Sequence, residues 1–515
     1  MDTYQIVNNA FKKTCKIIFR EEVGELMEFS DYLSGIVNPT KKTKSKLSGR
    51  SIVTANYYPS NAKFISAEES DNLRQEKIDI DSVKDIDSLV EAVKEKFTYS
   101  GNRIFGTNMH LSEVDNATNC QYVINGHNII DVKYGSSIAY MRECEYVFGA
   151  VGNPESEYLL LCSEGVNLKR SFESYSCTNS SDLYYCFRCD SSSNCMFSFG
   201  LSAKRHSIGN NILNKEKYTS LKEKLVKEIA DELKNKKKMP YLIELPQEYE
   251  HLENDDAETV INYNLPSTSL NQAFRNTTKI VLGKQLPSIE NSSEWLNGIN
   301  IFNMKKINGA SGKPVVKHSQ GGFGKLHPKR LVSEMEFFEI AEKTFIPIEE
   351  KKLDGVLNEL AKKIYFTCDL LVQPSSNIVD SPLVFRSNDT YVAIAVSSKY
   401  IAYTIAAKSE YVFGGLGRVL RSNFDLNCYD STNISQCLEV DGSHNTSDSM
   451  FCHNCEGVRN GIFTYNMKGK NYVVGNTPVN REDYLRVRKI VTGEVLRRVE
   501  KKEEVEELHL FSFSR

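Results

Sequence analysis

The 515-residue chain has no stretch that approaches 18 consecutive apolar residues, so no segment reads as a membrane span. Its start, Met-Asp-Thr-Tyr, lacks the charged opening and apolar run of a signal peptide, which leads us to expect synthesis and residence inside the cell. The 13 cysteines are then expected as reduced thiols used as small, buryable side chains. Basic excess is missing too: the formal charge is −3, which removes nucleic acid as the default partner. Gly321-Gly322-Phe323-Gly324-Lys325 lacks the spacing and the Ser/Thr of a phosphate-binding loop and reads as a turn. No close acidic pair recurs of the kind a solenoid carbohydrate lyase or hydrolase uses, which lowers that enzyme class to a third choice.

What is present is a rhythm. Tyr122, Tyr134, Tyr146 and Tyr158 lie twelve apart, each two positions after a small or compact residue: Cys120, Val132, Cys144 and Ser156. A helix scatters twelve-residue steps around its cylinder, whereas under a strand period of two all four tyrosines share a face. The surrounding Tyr, Val, Ile, Asn, Ser and Gly suit strands and turns. We expect coils of a β-solenoid, each coil a full turn of twelve residues or half of one of 24; an antiparallel meander is the alternative.

The chain also repeats itself. Glu145-Tyr146-Val147-Phe148-Gly149 returns as Glu410-Tyr411-Val412-Phe413-Gly414, and Cys162, Cys186, Cys189, Asn214 and Tyr218 match Cys428, Cys452, Cys455, Asn480 and Tyr484 at an offset of 266. Residues 9–53 match 272–316 at an offset of 263, with 13 identities in 45 gapless positions. We therefore expect a mainly β chain with flanking helices, built as two tandem-duplicated units. The first, 1–238, holds a head at 1–53, a β-solenoid at about 100–212 and a capping helix at 215–235. A charged linker with two prolines, 239–262, leads to the second, 263–515, with head 272–316, β-solenoid at about 366–478, helix 481–500 and tail 505–515. Ile86 to Phe97 and Leu353 to Ile364 have helical spacing. Asn214 and Asn480 are expected to cap the closing helices, whose apolar stripes (Tyr218, Leu221, Leu225, Ile229, Leu233; Tyr484, Val487, Val491, Val495, Val499) share one spacing.

Candidate chemistry is sparse. Each half has one Cys-x-x-Cys, and Cys162, Cys186, Cys189 with Cys428, Cys452, Cys455 form the candidate zinc set; only three ligands coincide between the halves, where a structural site needs four. We expect no zinc and no other cofactor. None of the nine histidines is placed equivalently in the two halves, so no catalytic residue is assigned. In the tail, Leu508, Leu510, Phe511 and Phe513 put apolar side chains on both faces of a would-be strand, which suits addition to a neighbouring subunit's sheet edge.

The stretch from Cys186 to Tyr218, with its cysteines, aromatics, Ser207-Ile-Gly-Asn210 and Asn214-Lys-Glu-Lys-Tyr218 before a charged helix, resembles a loose family of uncharacterised cysteine-rich repeat proteins of large phages and candidate-phylum bacteria. Ser311-Gly312-Lys313-Pro314 resembles a degenerate zinc-ribbon start in such proteins, without its cysteines. The resemblance implies no activity; it implies a virion or other assembly component. The expectation is thus a non-enzymatic structural protein that self-associates or joins other structural proteins, then a glycan- or protein-binding solenoid module.

Overall fold

A computed structural model of the chain describes residues 2–38, 40–55, 58, 61–72, 77–94, 96–152, 156–163, 165, 168–252, 259–298, 302–348, 351–415, 417–505 and 508. It is mainly β with flanking helices. Among the described residues no helix is long and apolar enough to cross a membrane.

Two large parallel sheets dominate. In the first, Met109–Thr118, Gln121–Ala139, Arg142–Val151, Ser156–Ser163, Lys169–Tyr175, Ser181–Phe187, Ser193–Met196 and Arg205–Ile208 pair in chain order. Each residue meets the one twelve positions on: Val132 pairs with Cys144, Ser174 with Cys186, Cys195 with Ser207. Gln121–Ala139 is nominally one strand of 19 residues, yet Tyr122, Asn125, Asn128, Asp131, Tyr134 and Ser137 all have φ between 53° and 60°. The chain therefore turns a corner at every third residue. Asn and Asp accept that left-handed conformation most readily, which accounts for their abundance at corners.

The residue after each corner points inward: Val123, Ile129, Val132 and Ile138 are completely or almost completely buried in one apolar cluster. Gly135 takes one such inward place, where a Cβ would stand 2.7 Å from Ile138 Cδ1. The small-x-Tyr motif is this triplet: Cys120 inside, Gln121 on the flank, Tyr122 at the corner. The expected period of two is thus replaced by a period of three, because a left-handed residue at every third position redirects the strand. The described tyrosines still fall in one column, with the Tyr122 and Tyr134 rings stacked 4.9 Å apart.

The second large sheet runs Ser376–Val379, Asn388–Tyr391, Lys399–Ala402, Glu410–Phe413, Asn423–Leu426, Leu438–Asp441, Met450–His453, Arg459–Ile462 and Asn471–Val474, also parallel, before a short antiparallel return at Thr477–Pro478. A smaller parallel sheet, including Leu383–Phe385, Ile394–Val396, Ile405–Ala407 and Arg418–Leu420, alternates with its first strands along the chain.

Both sheets end in a helix. Asn214 accepts a hydrogen bond from the Lys217 amide at the start of Lys215–Lys236, and Asn480 from the Asp483 amide at the start of Arg481–Lys501. The expected stripes face inward; of them only Leu221 is partly exposed. On the first sheet the helix Thr3–Phe19 lays Phe11 against Phe148 and Phe19 against Phe172, edge-on at 5.3 and 4.9 Å.

The chain divides into two compact units, and they are not the contiguous ones expected. One comprises 1–40, 106–262 and 302–370; the other comprises 41–105, 263–301 and 371–515. Each expected head is cut, at 40/41 and at 301/302, and the segment that begins inside it packs in the unit formed by the other half's strands. The expected linker is also partly core: Leu242, Ile243 and Leu245, at the start of the helix Leu245–Glu250, are fully buried. Two prolines and many charges concealed three apolar anchors.

Candidate functional site

Inward-facing positions set the chemistry of the sheets. Where they are not aliphatic they are mostly Ser, Thr or Cys, small enough for the narrow interior and able to bond the backbone; Asp425, fully buried, takes one such place and accepts the Cys437 amide at 3.0 Å. Ser180 Oγ donates to the Thr178 and Cys189 carbonyls at 2.8 Å and accepts the Ser192 amide at 2.9 Å, one coil on. Cys189 Sγ donates to the Phe187 and Ser198 carbonyls; Cys452 and Cys455 donate to the Met450 and His453 carbonyls. Burial pushes the Cys189, Cys428 and Cys452 thiols up, so they are neutral donors in these bonds.

Cys-x-x-Cys is therefore two successive inward triplet positions, Cys186 with Cys189 and Cys452 with Cys455, and its spacing is that of the fold. Among the described residues, no three or more His, Cys, Asp or Glu side chains gather as a metal site. The Cys162 side chain lies outside the described residues; Cys428 is buried in the interior of the second sheet.

One constellation looks catalytic. In the second unit His453 Nδ1 lies 2.6 Å from Asp441 Oδ2, and both side chains are fully buried. The Ser100 amide donates to His453 Nε2 at 2.8 Å, so the ring carries its proton on Nδ1 and gives it to Asp441. Tyr58 donates its hydroxyl to the same carboxylate at 2.6 Å, and the Arg103 guanidinium lies 3.9 Å from its other oxygen. The nitrogen a general base would use is thus engaged by backbone, and the cluster is closed to solvent.

A second buried acid recurs in both units. Glu173 accepts hydrogen bonds from the Tyr32 and Tyr175 hydroxyls and, at 3.1 Å, from the Leu242 amide. Burial outweighs these donors and pushes its carboxyl up to about 8. At the offset of 266, Glu439 accepts the Leu508 amide at 3.1 Å and the Tyr429 hydroxyl at 3.1 Å. Sequence reading missed this pair because each glutamate sits alone at a corner.

The glutamates also place the tail. Leu508 was expected on a neighbouring subunit; it is fully buried in its own unit, its amide on Glu439 and its carbonyl accepting from the Tyr99 hydroxyl at 2.6 Å. In the sequence it stands 266 positions after Leu242, the residue whose amide meets Glu173. Leu510, Phe511 and Phe513 lie outside the described residues.

Beside Glu173 a cleft of about 510 Å³ opens in the first unit, lined by Tyr32, Tyr241, Tyr249, Glu244, Glu248 and Asp354 among others. Tyr32 and Tyr241 stack at 5.3 Å, and the Tyr241 hydroxyl donates to the Tyr32 carbonyl at 2.6 Å. Burial and the nearby Glu244 carboxylate push the Glu248 carboxyl up. Lys325 shows what this surface accepts: its ammonium lies 4.6 Å from the centre of the Tyr241 ring and 2.9 Å from Glu244. The second unit has a smaller cleft, about 230 Å³, where Trp295 and Val505 stand at the places of Tyr32 and Met239. The chain matches no protein-family model, no curated protein and no solved structure.

Proposed function

We propose that the chain is a non-enzymatic structural protein: two tandem-duplicated β-solenoids, each coil a single turn, of twelve residues in the first and of eleven to thirteen in the second, serving as a building block of a virion or other large particle. The observation that carries this reading is where the reactive groups go. Among the described residues the thiols, the His453–Asp441 pair, Glu173 and Glu439 are enclosed and engaged in hydrogen bonds that hold coils, heads and tails together. Such ladders rigidify a stack of strands, and rigidity is what a building block contributes.

The aromatic rows support the same reading over glycan binding. Tyr122 with Tyr134, and Tyr411 with Phe424, stack at 12° and 15°, so the rings cover one another's faces and leave edges outward, where a sugar would need a face. Native mass spectrometry and sedimentation of the purified chain test the proposal. Species of several chains are expected; a monomer at every concentration sinks it.

The cleft favours a second reading, a binding module for a protein ligand that sets a lysine against the acidic rim at Glu248. Calorimetry with a lysine-containing peptide and its norleucine counterpart tests it: binding of the first alone, weakened by Glu248→Gln, is the expected result.

A further inference from the structure

The composition of the two units carries one step more. The first unit contains 302–370, which belongs to the C-terminal half of the chain, and the second contains 41–105, from the N-terminal half. Neither is a loose addition. In the first unit, Phe187 of the sheet packs edge-on against Phe337 and Phe366 at 5.5 and 5.1 Å. Arg188 pairs with Glu334, and the Ile346 amide donates to the Gly209 carbonyl at 2.9 Å. In the second unit the segment 41–105 supplies Tyr58, Ser100 and Arg103 to His453 and Asp441, Phe105 stacks on His444 at 3.8 Å, and the Ile78 amide donates to Thr477 at 2.9 Å.

These two seams are chemical opposites at matching positions. At the offset of 266, Phe187 corresponds to His453 and Tyr175 to Asp441, a correspondence that rests on the duplication proposed above. Were 41–105 to fold back on the sheet of its own half, Arg103 would meet Tyr175 where Asp441 now stands, and the Ser100 amide would meet Phe187 where it now has an acceptor. The reverse exchange would set Phe337 and Phe366 against His453 and Asp441 and leave that buried pair without Tyr58 or Ser100. A buried charge stripped of its partner, or a buried amide without an acceptor, is strongly disfavoured.

We infer that the two halves are obligate, specific partners: each completes the other's unit through an exchanged segment, and neither accepts a copy of itself. The interaction surface is the pair of seams, and the partner each fits is the opposite half. This makes the chain one folding entity despite its two units, and it makes the halves separable only as a complex.

The test starts from the folded full chain carrying a protease site inserted between residues 257 and 258. After cleavage, fragments 1–257 and 258–515 are expected to run as one species of the uncut mass in native gel filtration, with an unchanged circular dichroism spectrum, and to part only in denaturant. Refolded from denaturant, the mixture is expected to return as a 1:1 complex, and fragment 1–257 alone to give no stable homodimer. Two independently folded species after cleavage would overturn the exchange; a folded homodimer of 1–257 would overturn the specificity. Asp441→Asn adds a reading that does not depend on refolding, since it is expected to lower the denaturant concentration at which the cleaved fragments part. An unshifted midpoint counts against the seam. The size of the uncut chain, measured first, judges the assembly proposal separately.

Discussion

The two large sheets differ in how strictly they keep step. In the first, the register from Met109–Thr118 to Arg205–Ile208 advances by twelve at each step. In the second, Asn388 pairs with Lys399 and Lys399 with Glu410, steps of eleven, and then Glu410 with Asn423, a step of thirteen. The column of serines nevertheless continues unbroken: the amides of Ser387, Ser398, Ser409 and Ser422 donate in turn to the hydroxyls of Ser375, Ser387, Ser398 and Ser409. Coil length is thus secondary to the inward ladder. The long step is absorbed at Gly414, Gly415 and Gly417, with φ of 73°, 106° and 73°; a Cβ on Gly415 would come 2.0 Å from the Cys428 carbonyl oxygen.

The largest way to break the comparison is at the seams. Asp441→Ala is expected to destabilise the second unit by about 3–5 kcal/mol, since it leaves Arg103 and His453 buried without their carboxylate. Phe187→Ala should cost the first unit a similar amount, about 3–5 kcal/mol, by removing an aromatic side chain from a fully buried place. Urea unfolding followed by hydrogen exchange at each sheet would report both losses.

Glu173 offers a way to sharpen the difference with pH. Its carboxyl is raised from 4.5 to about 8, so the folded state favours the protonated form. The stability it lends is complete below pH 4.5 and is lost as the pH rises to about 8. Glu173→Gln is expected to flatten that slope in the first unit and leave the second unit's pH profile as it was; melting curves across this range would show it.

Ser409→Ala tests the ladder where the step changes from eleven to thirteen. The Ser422 amide would lose its acceptor in a buried column, a loss of about 1–3 kcal/mol in denaturant midpoint analysis. The smallest effect is the one the units should share: Asn214→Ala and Asn480→Ala each remove a helix cap, worth about 1 kcal/mol. Unequal costs would show that the helices close their sheets differently.

Much of the local structure was open to reading. Asn214 and Asn480 announced their helices because a cap needs only its own first turn, and the tyrosine column was visible because a constant step in space requires a constant step in sequence. The triplet was visible in principle as well, in Cys186, Cys189, Ser192, Cys195 and Ser198, but a three-residue spacing of small residues also suits a metal motif. The fold turns all of them into its buried interior. The seams were beyond reach: His453, Asp441, Tyr58, Ser100 and Arg103 are hundreds of positions apart, and no local pattern pairs them.

Sequence alone determined the twelve-residue step, the likeness of the two halves and the closing helices, because these follow from short-range geometry repeated along the chain. Tertiary structure decided that 41–105 and 302–370 change places, that Leu508 returns to Glu439, and that the described cysteines are buried. Each of these depends on which buried surfaces meet, and that is settled by packing between segments far apart in the chain.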